Sequence, residues 1–238
     1  MASEQHSLGV GLFRKDWDRH VLHADQLSRT PGFRALRDQI LDRAKPLSTD
    51  RAIDIGTGTG LLALALSERV ASVWAIDNSI AMVEHLRTLV KERALADVHP
   101  LVASAESLPL EVESVDLVVS NYCFHHLGRA GKRRSLEEIY RVLAPGGRLV
   151  FADMMFGMHP TSRRDRSVIA SKAAAMIRRG PAGLLRLARN ALRLLTLTGE
   201  HPAPAGWWRE ALTEAGFIEV TVKTLAHEGG IASAKKPG

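Results

Sequence analysis

The segment Asp54-Ile55-Gly56-Thr57-Gly58-Thr59-Gly60 joins an acid to three glycines at alternate positions. Glycine lets a chain turn tightly and brings its backbone against a ligand with no Cβ in the way. The spacing narrows the ligand: a dinucleotide fingerprint needs a glycine three places after Gly58, where Leu61 stands, and the lysine of a phosphate-cradling loop is missing. Asp77 lies 17 residues beyond Gly60. A carboxylate there can accept hydrogen bonds from both hydroxyls of an unsubstituted ribose; the competing reading is an acid facing a helix dipole, since Asn78 and Ser79 follow. His125 and His126 offer a second chemistry. An unperturbed imidazole titrates at about 6.5, so either could take a proton at neutral pH. Adjacent residues on a helix point about 100° apart, so at most one is expected to face a substrate. The sole cysteine, Cys123, excludes an internal disulfide and fits a reducing compartment, with the cytoplasm the expected location. In an apolar turn it reads as inert packing.

The elements that must position these residues follow from periodicity. Phe33, Leu36, Ile40 and Leu41 recur at a helical period over Phe33–Ala44, and Pro46 closes the run. Strands are expected at Arg51–Ile55, Val73–Ile76, Val98–Val102, Val115–Val119 and Arg148–Ala152, with helices at Leu61–Arg69, from Ser79 to Ala94, and around Leu136–Leu143. Ser79 suits an N-cap, and Pro145-Gly146-Gly147 is expected to stop the third of these helices. Five alternations of strand and helix argue for parallel β-α-β units, whose right-handed crossovers bring every strand's C-terminal end to one edge, where ligands bind. Beyond Asp153 the pattern changes: His159 to Pro204 reads as helices alone, then Trp207–Ala215 as a helix, with strands at Phe217–Val222 and Gly230–Ala234. The expected division is 1–46 as an N-terminal helical lid, 47–158 as the core, 159–204 as a helical insertion and 205–238 as completion of the core.

Charge marks the insertion. The chain of 238 residues carries a net +6, yet Pro160–Leu195 alone holds nine basic residues against one acid, Asp165. Basicity is a property of that segment and not of the body. From Leu184 to Leu197, Arg186, Arg189, Asn190 and Arg193 fall on one polar arc, while leucines cover the rest. So wide an apolar face must be buried against the rim of a substrate pocket, another subunit or a membrane surface. No apolar run reaches the roughly 18 residues of a membrane span, and Met1–Phe13 reads as a polar lead-in.

Four motifs in order carry a resemblance: Asp54–Gly60; Asp77; Ser104-Ala105-Glu106 with Leu108-Pro109; and Asp116–Leu127 followed by Leu143–Asp153. Together they resemble the class I S-adenosylmethionine-dependent methyltransferases, in their small-molecule branch, similar to YrrT-like and quinone-biosynthetic enzymes. The resemblance covers Arg51–Asp153, returns at Ala215-Gly216-Phe217 and leaves Pro160–Pro204 uncovered. It implies a doubly wound α/β fold: a seven-stranded, mostly parallel Rossmann-like sheet, its last strand antiparallel, with N-terminal helices and a helical insertion after the fifth strand. It also implies S-adenosylmethionine as cofactor and S-adenosylhomocysteine as product. Asp54, Gly56, Thr57, Gly58, Gly60, Asp77, Asn78, Met82, Ser104, Ala105, Glu106, Asn121 and Tyr122 would then line the cofactor.

The family usually places an acid at the Ser104 position. Here the Ser104 hydroxyl or Glu106 would accept from the adenine amine, and the Ala105 amide would serve the ring. Trp17 and His20 belong to a segment that folds over the cofactor as a lid in relatives. A methyl on a sulfonium needs no metal, and none is assigned. His125 or His126 is the candidate base, and a thiol mechanism at Cys123 is rejected because Tyr122 stands where that chemistry places a proline. The leading function is methylation of a small apolar or amphipathic molecule at oxygen, nitrogen or carbon. The alternative is RNA or protein methylation through the basic insertion, disfavoured because Ser120-Asn121-Tyr122-Cys123 lacks the prolines of base-amino methylation and no aromatics interleave the arginines. Peripheral membrane contact through 184–197 and a homodimer both stay open.

Overall fold

A computed structural model describes residues 20–157, 163–178, 180, 200–225 and 228–238. Helices α1 (Val21–Ser28) and α2 (Pro31–Ala44) precede β1 (Arg51–Ile55), α3 (Ala63–Leu66), β2 (Ser72–Asp77), α4 (Ile80–Glu92) and β3 (Val98–Val102). Then follow β4 (Val115–Asn121), a 3-10 turn (Phe124–His126), α5 (Arg129–Val142) and β5 (Leu143–Met154). Helix α6 (Arg163–Ile177), α7 (Ala205–Glu214), β6 (Ile218–Thr224) and β7 (Gly229–Lys235) complete the described chain.

The seven strands form one sheet in the order β3-β2-β1-β4-β5-β7-β6. Pairs among β1 to β5 are parallel, and β7 runs antiparallel to both β5 and β6. The fold is therefore the doubly wound one expected. Its order reverses at β1, which pairs β2 on one side and β4 on the other, the switch point at whose strand ends such sheets bind ligands.

Side chains alternate across the sheet, as the pleat requires. Ile53 and Ile55 enter the core shared with α5 and α7, while Ala52, Leu117 and Val119 enter the one shared with α2 and α3. Both faces are covered, so the central strands bury apolar residues on both sides. No described helix is long and apolar enough to cross a membrane.

Two local expectations need correction. The apolar run from Leu61 to Arg69 contributes a single turn of helix, Ala63–Leu66; the Ser67 hydroxyl bonds back to the Leu64 carbonyl, a local competitor of helix propagation. And Pro145-Gly146-Gly147 does not separate helix from strand. Helix α5 ends at Val142 and β5 starts at Leu143, so the tripeptide forms an irregularity inside the strand, between Leu143, paired with Val115, and Arg148, paired with Leu117. A Cβ on Gly147 would stand 2.8 Å from the Ala144 carbonyl oxygen, which only glycine avoids.

Candidate active site

The glycine loop leaves β1 and is held by its own backbone. The N–H groups of Gly56 and Thr57 both donate to the Ile76 carbonyl, at 2.8 and 3.0 Å. Gly56, Gly58 and Gly60 all have positive φ (69°, 52° and 91°), the left-handed region that other residues rarely adopt. Beneath the loop lies Asp54, 1% exposed. Its Oδ2 accepts from the Thr57 hydroxyl at 2.8 Å and from the Ala63 N–H at 3.0 Å. Pleat parity aims it at α3, so it ties the loop to that helix from behind. Burial pushes its carboxyl up to about 7, against the pull of those two hydrogen bonds.

Asp77 closes β2 on the same edge of the sheet. Its Oδ2 accepts from the Gly58 N–H and its Oδ1 from the Ser79 N–H, both at 2.9 Å. It thus organises the middle of the glycine loop and the start of α4 together. Ser79 caps α4 by accepting from the Met82 N–H at 3.2 Å, and Met82 itself is buried. Asn78 is exposed.

At the end of β3, Ser104 Oγ accepts from the Glu106 N–H at 3.2 Å. The Glu106 carboxylate turns instead toward α5, where Arg134 pairs with it at 2.6 Å; a Cβ on Gly131 would collide with it. Ala105 packs against the core. Of the three, Glu106 is thus engaged by a cation of its own chain.

Strand β4 contributes the other half. Asn121 Oδ1 is buried and has no hydrogen-bond partner among the described residues. Tyr122 takes φ 56°, an uncommon conformation for a bulky residue that concentrates at functional sites. Its N–H donates to the Ala152 carbonyl at 2.8 Å, and burial, aided by Glu228 and Asp153, pushes its phenol up to about 12. Cys123 lies against the glycine loop: a Cβ on Gly56 would meet its Cβ and Sγ at 2.5 Å. Burial pushes its thiol well above the ordinary range, the opposite of what a nucleophile needs.

The two histidines occupy the 3-10 turn. Their rings do not diverge; the centroids are 3.8 Å apart. His125 is 4% exposed and Asp153, at the end of β5, 0%. Asp153 Oδ2 accepts from the His125 N–H at 3.0 Å, and Oδ1 lies 2.7 Å from Nδ1 of the same residue. Asp153 Oδ1 also accepts from the Met154 N–H at 2.6 Å. The Tyr122 ring meets the His125 ring edge-on at 5.7 Å. Asp153 was given no role by sequence reasoning; the available signal was an acid ending the apolar run Val150-Phe151-Ala152 on the ligand edge.

His20 is half-buried just before α1. Trp17 and the stretch Leu184–Leu197 lie outside the described residues, so the expectations placed on them stay expectations.

Comparison with known proteins agrees with this geometry. Residues 53–151 match the methyltransferase domain family. An uncharacterized methyltransferase of Oceanobacillus iheyensis is 33% identical over 119 residues, 50% of this chain and 54% of that protein. Among solved structures, the fold is shared with a SAM-dependent methyltransferase from Aquifex aeolicus (TM-score 0.62, 19% identity, 90% of this chain and 97% of that one). A phosphoethanolamine N-methyltransferase 2 of Haemonchus contortus, solved with phosphomonomethylethanolamine and S-adenosylhomocysteine, gives a TM-score of 0.72 at 20% identity, over 96% of this chain and 61% of that one. The chain thus carries a methyltransferase domain over residues 53–151. It spans about half the length of the curated relatives it matches.

Proposed function

We propose that the chain moves the methyl group of S-adenosylmethionine to an oxygen, nitrogen or carbon atom of a small, apolar or amphipathic molecule. The observation that carries this reading is the hydrogen bond from the Gly58 N–H to Asp77. It couples the glycine loop to the end of β2 at the point where strand order reverses, the crevice in which such sheets bind nucleotides. The residues fit the cofactor. A Cβ on Gly58 would meet no atom within 4 Å, so the loop faces open space there. An ionised carboxylate offers about four acceptor sites, so the bonds to Gly58 and Ser79 leave Asp77 able to receive ribose hydroxyls. Asn121 Oδ1, a buried acceptor without a donor, suits an ammonium or N–H of a ligand.

When bound, S-adenosylmethionine supplies a methyl group already activated by its sulfonium. The chain's own part is to orient, exclude water and hold protons. His125 would be the base. A carboxylate at Asp153 can only accept, so its contact with Nδ1 places a proton there and, in a neutral ring, leaves Nε2 with its lone pair. That nitrogen would take the proton of an O–H or C–H acceptor as the methyl arrives. Asp153 would hold the tautomer and stabilise the imidazolium. The N-terminal residues 1–46 and the insertion 159–204 would close over cofactor and acceptor respectively.

Calorimetric titration with S-adenosylhomocysteine tests the core of this reading. The unaltered protein should bind, and Asp77→Ala should bind at least about 100-fold more weakly, some 2.7 kcal/mol. Absence of binding, or an Asp77→Ala protein as tight as its parent, would overturn it. Labelled methyl should then appear in the low-molecular-weight fraction of a cell extract; label confined to RNA or protein would reassign the acceptor.

A further inference from the structure

Lys132 is 1% exposed in the first turn of α5. The site is unfavourable for a cation: burial strips its water, and the positive end of the helix dipole lies beside it. Burial, helped by Arg129 and opposed by Asp153, draws its ammonium down to about 8. A leucine or methionine would occupy similar space without that penalty. What the ammonium does there is donate. It bonds the carbonyl of Leu127, which follows the histidine turn, and the carbonyl of His201 at 2.6 Å, 69 residues further on.

His201 lies where the chain returns from the helical insertion, and it is bonded twice. Its own N–H donates to the carbonyl of His125 at 2.6 Å. Just beyond, Ala203 is buried and Trp208 of α7 is fully enclosed against Phe124 and Phe151. The turn that carries His125 is therefore fixed on one side by Asp153 and on the other by the returning arm, and Lys132 closes the second contact.

We propose that Lys132 is a positioning residue: by binding the carbonyls of Leu127 and His201 together, it fastens the return arm of the insertion to the His125 turn. The His125 turn and the segment around His201 then share one geometry, and displacement of either is felt by the other. This rests on reading His125 as the base, while the fastening itself does not.

The test compares Lys132→Met, Lys132→Arg and, as a buried control in the same helix, Ser135→Ala. Hydrogen exchange at the His201 amide should accelerate about tenfold or more in Lys132→Met, and stay within about threefold of the parent in Lys132→Arg and Ser135→Ala. The nitrogen-15 signals of the His125 ring should report a redistributed tautomer only in Lys132→Met. The His201 imidazole, held below its ordinary range by burial and then by Lys132, should titrate higher in that variant. Should Lys132→Met not fold, Lys132→Gln, which keeps an amide donor, takes its place with an intermediate rise in exchange. Unchanged exchange and unchanged His125 signals would overturn the proposal. S-adenosylhomocysteine titration of the same samples separates the two ideas, since lost binding in the parent would strike the methyltransferase reading and leave the fastening measured.

Discussion

The two halves of the site are built on different length scales. The half proposed for the cofactor closes on itself within a short stretch: Thr57 and Ala63 reach Asp54, Gly58 and Ser79 reach Asp77, and the loop amides reach Ile76. The half proposed for the acceptor is assembled from distant residues: His125 with Asp153, His201 with His125, and Lys132 with His201. Local construction makes the first half rigid by its own turn chemistry. The second depends on the sheet, α5 and the segment around His201 arriving in register. The halves touch directly where Gly56 packs on Cys123.

That contact is the place to break the comparison. Gly56→Ala should lower stability by about 3 kcal/mol and abolish S-adenosylhomocysteine binding, because it joins a forced positive φ to a clash with both atoms of Cys123; Cys123→Gly in the same chain should restore part of the loss in chemical denaturation. Next in size is Asp153→Ala. It strips acceptors from the His125 and Met154 amides and from Nδ1, and should cost about 2–4 kcal/mol of stability, while S-adenosylhomocysteine affinity in the folded fraction changes less than about threefold. Equal damage to both properties would mean that the halves are not separable.

A third prediction is one of pH. The folded carboxyl of Asp54 sits at about 7, above the roughly 3.9 of an unfolded chain. The folded state therefore binds the extra proton between those values, and its stability falls as pH rises through that window. Asp54→Asn lacks the titration, so denaturant midpoints should move in favour of the variant, relative to its parent, from pH 4 to pH 7. A constant gap would show that the group is not buried as described. The smallest effect belongs to Glu106→Gln. With its carboxylate taken by Arg134, S-adenosylhomocysteine affinity should change less than about threefold; a tenfold loss would give Glu106 to the adenine.

Much of the fold could be read in advance. The strands from Arg51 to Ala152 stand where apolar runs alternate with helical periodicity, and the seven-stranded sheet with its antiparallel last strand is the one the resemblance implied. The misjudged places are those where a local rule met a tertiary one. Pro145-Gly146-Gly147 looks like punctuation and is an irregularity inside a strand, because β7 and the C-terminal residues pair across it: Gly146 donates to the Lys236 and Pro237 carbonyls. Glu106 is a different case: only packing shows its carboxylate paired with Arg134 of α5, and its part in holding the adenine is left to the titration above.

The residue order by itself determined the glycine loop, Asp77 and the strand that carries each, since turn geometry and pleat parity depend on near neighbours. Only the tertiary structure decided that Asp54 works behind the loop, that Asp153 holds His125, and that Lys132 binds the His201 carbonyl. Those assignments depend on which groups are dehydrated together, and burial is a property of the packed chain, set by residues far away in sequence.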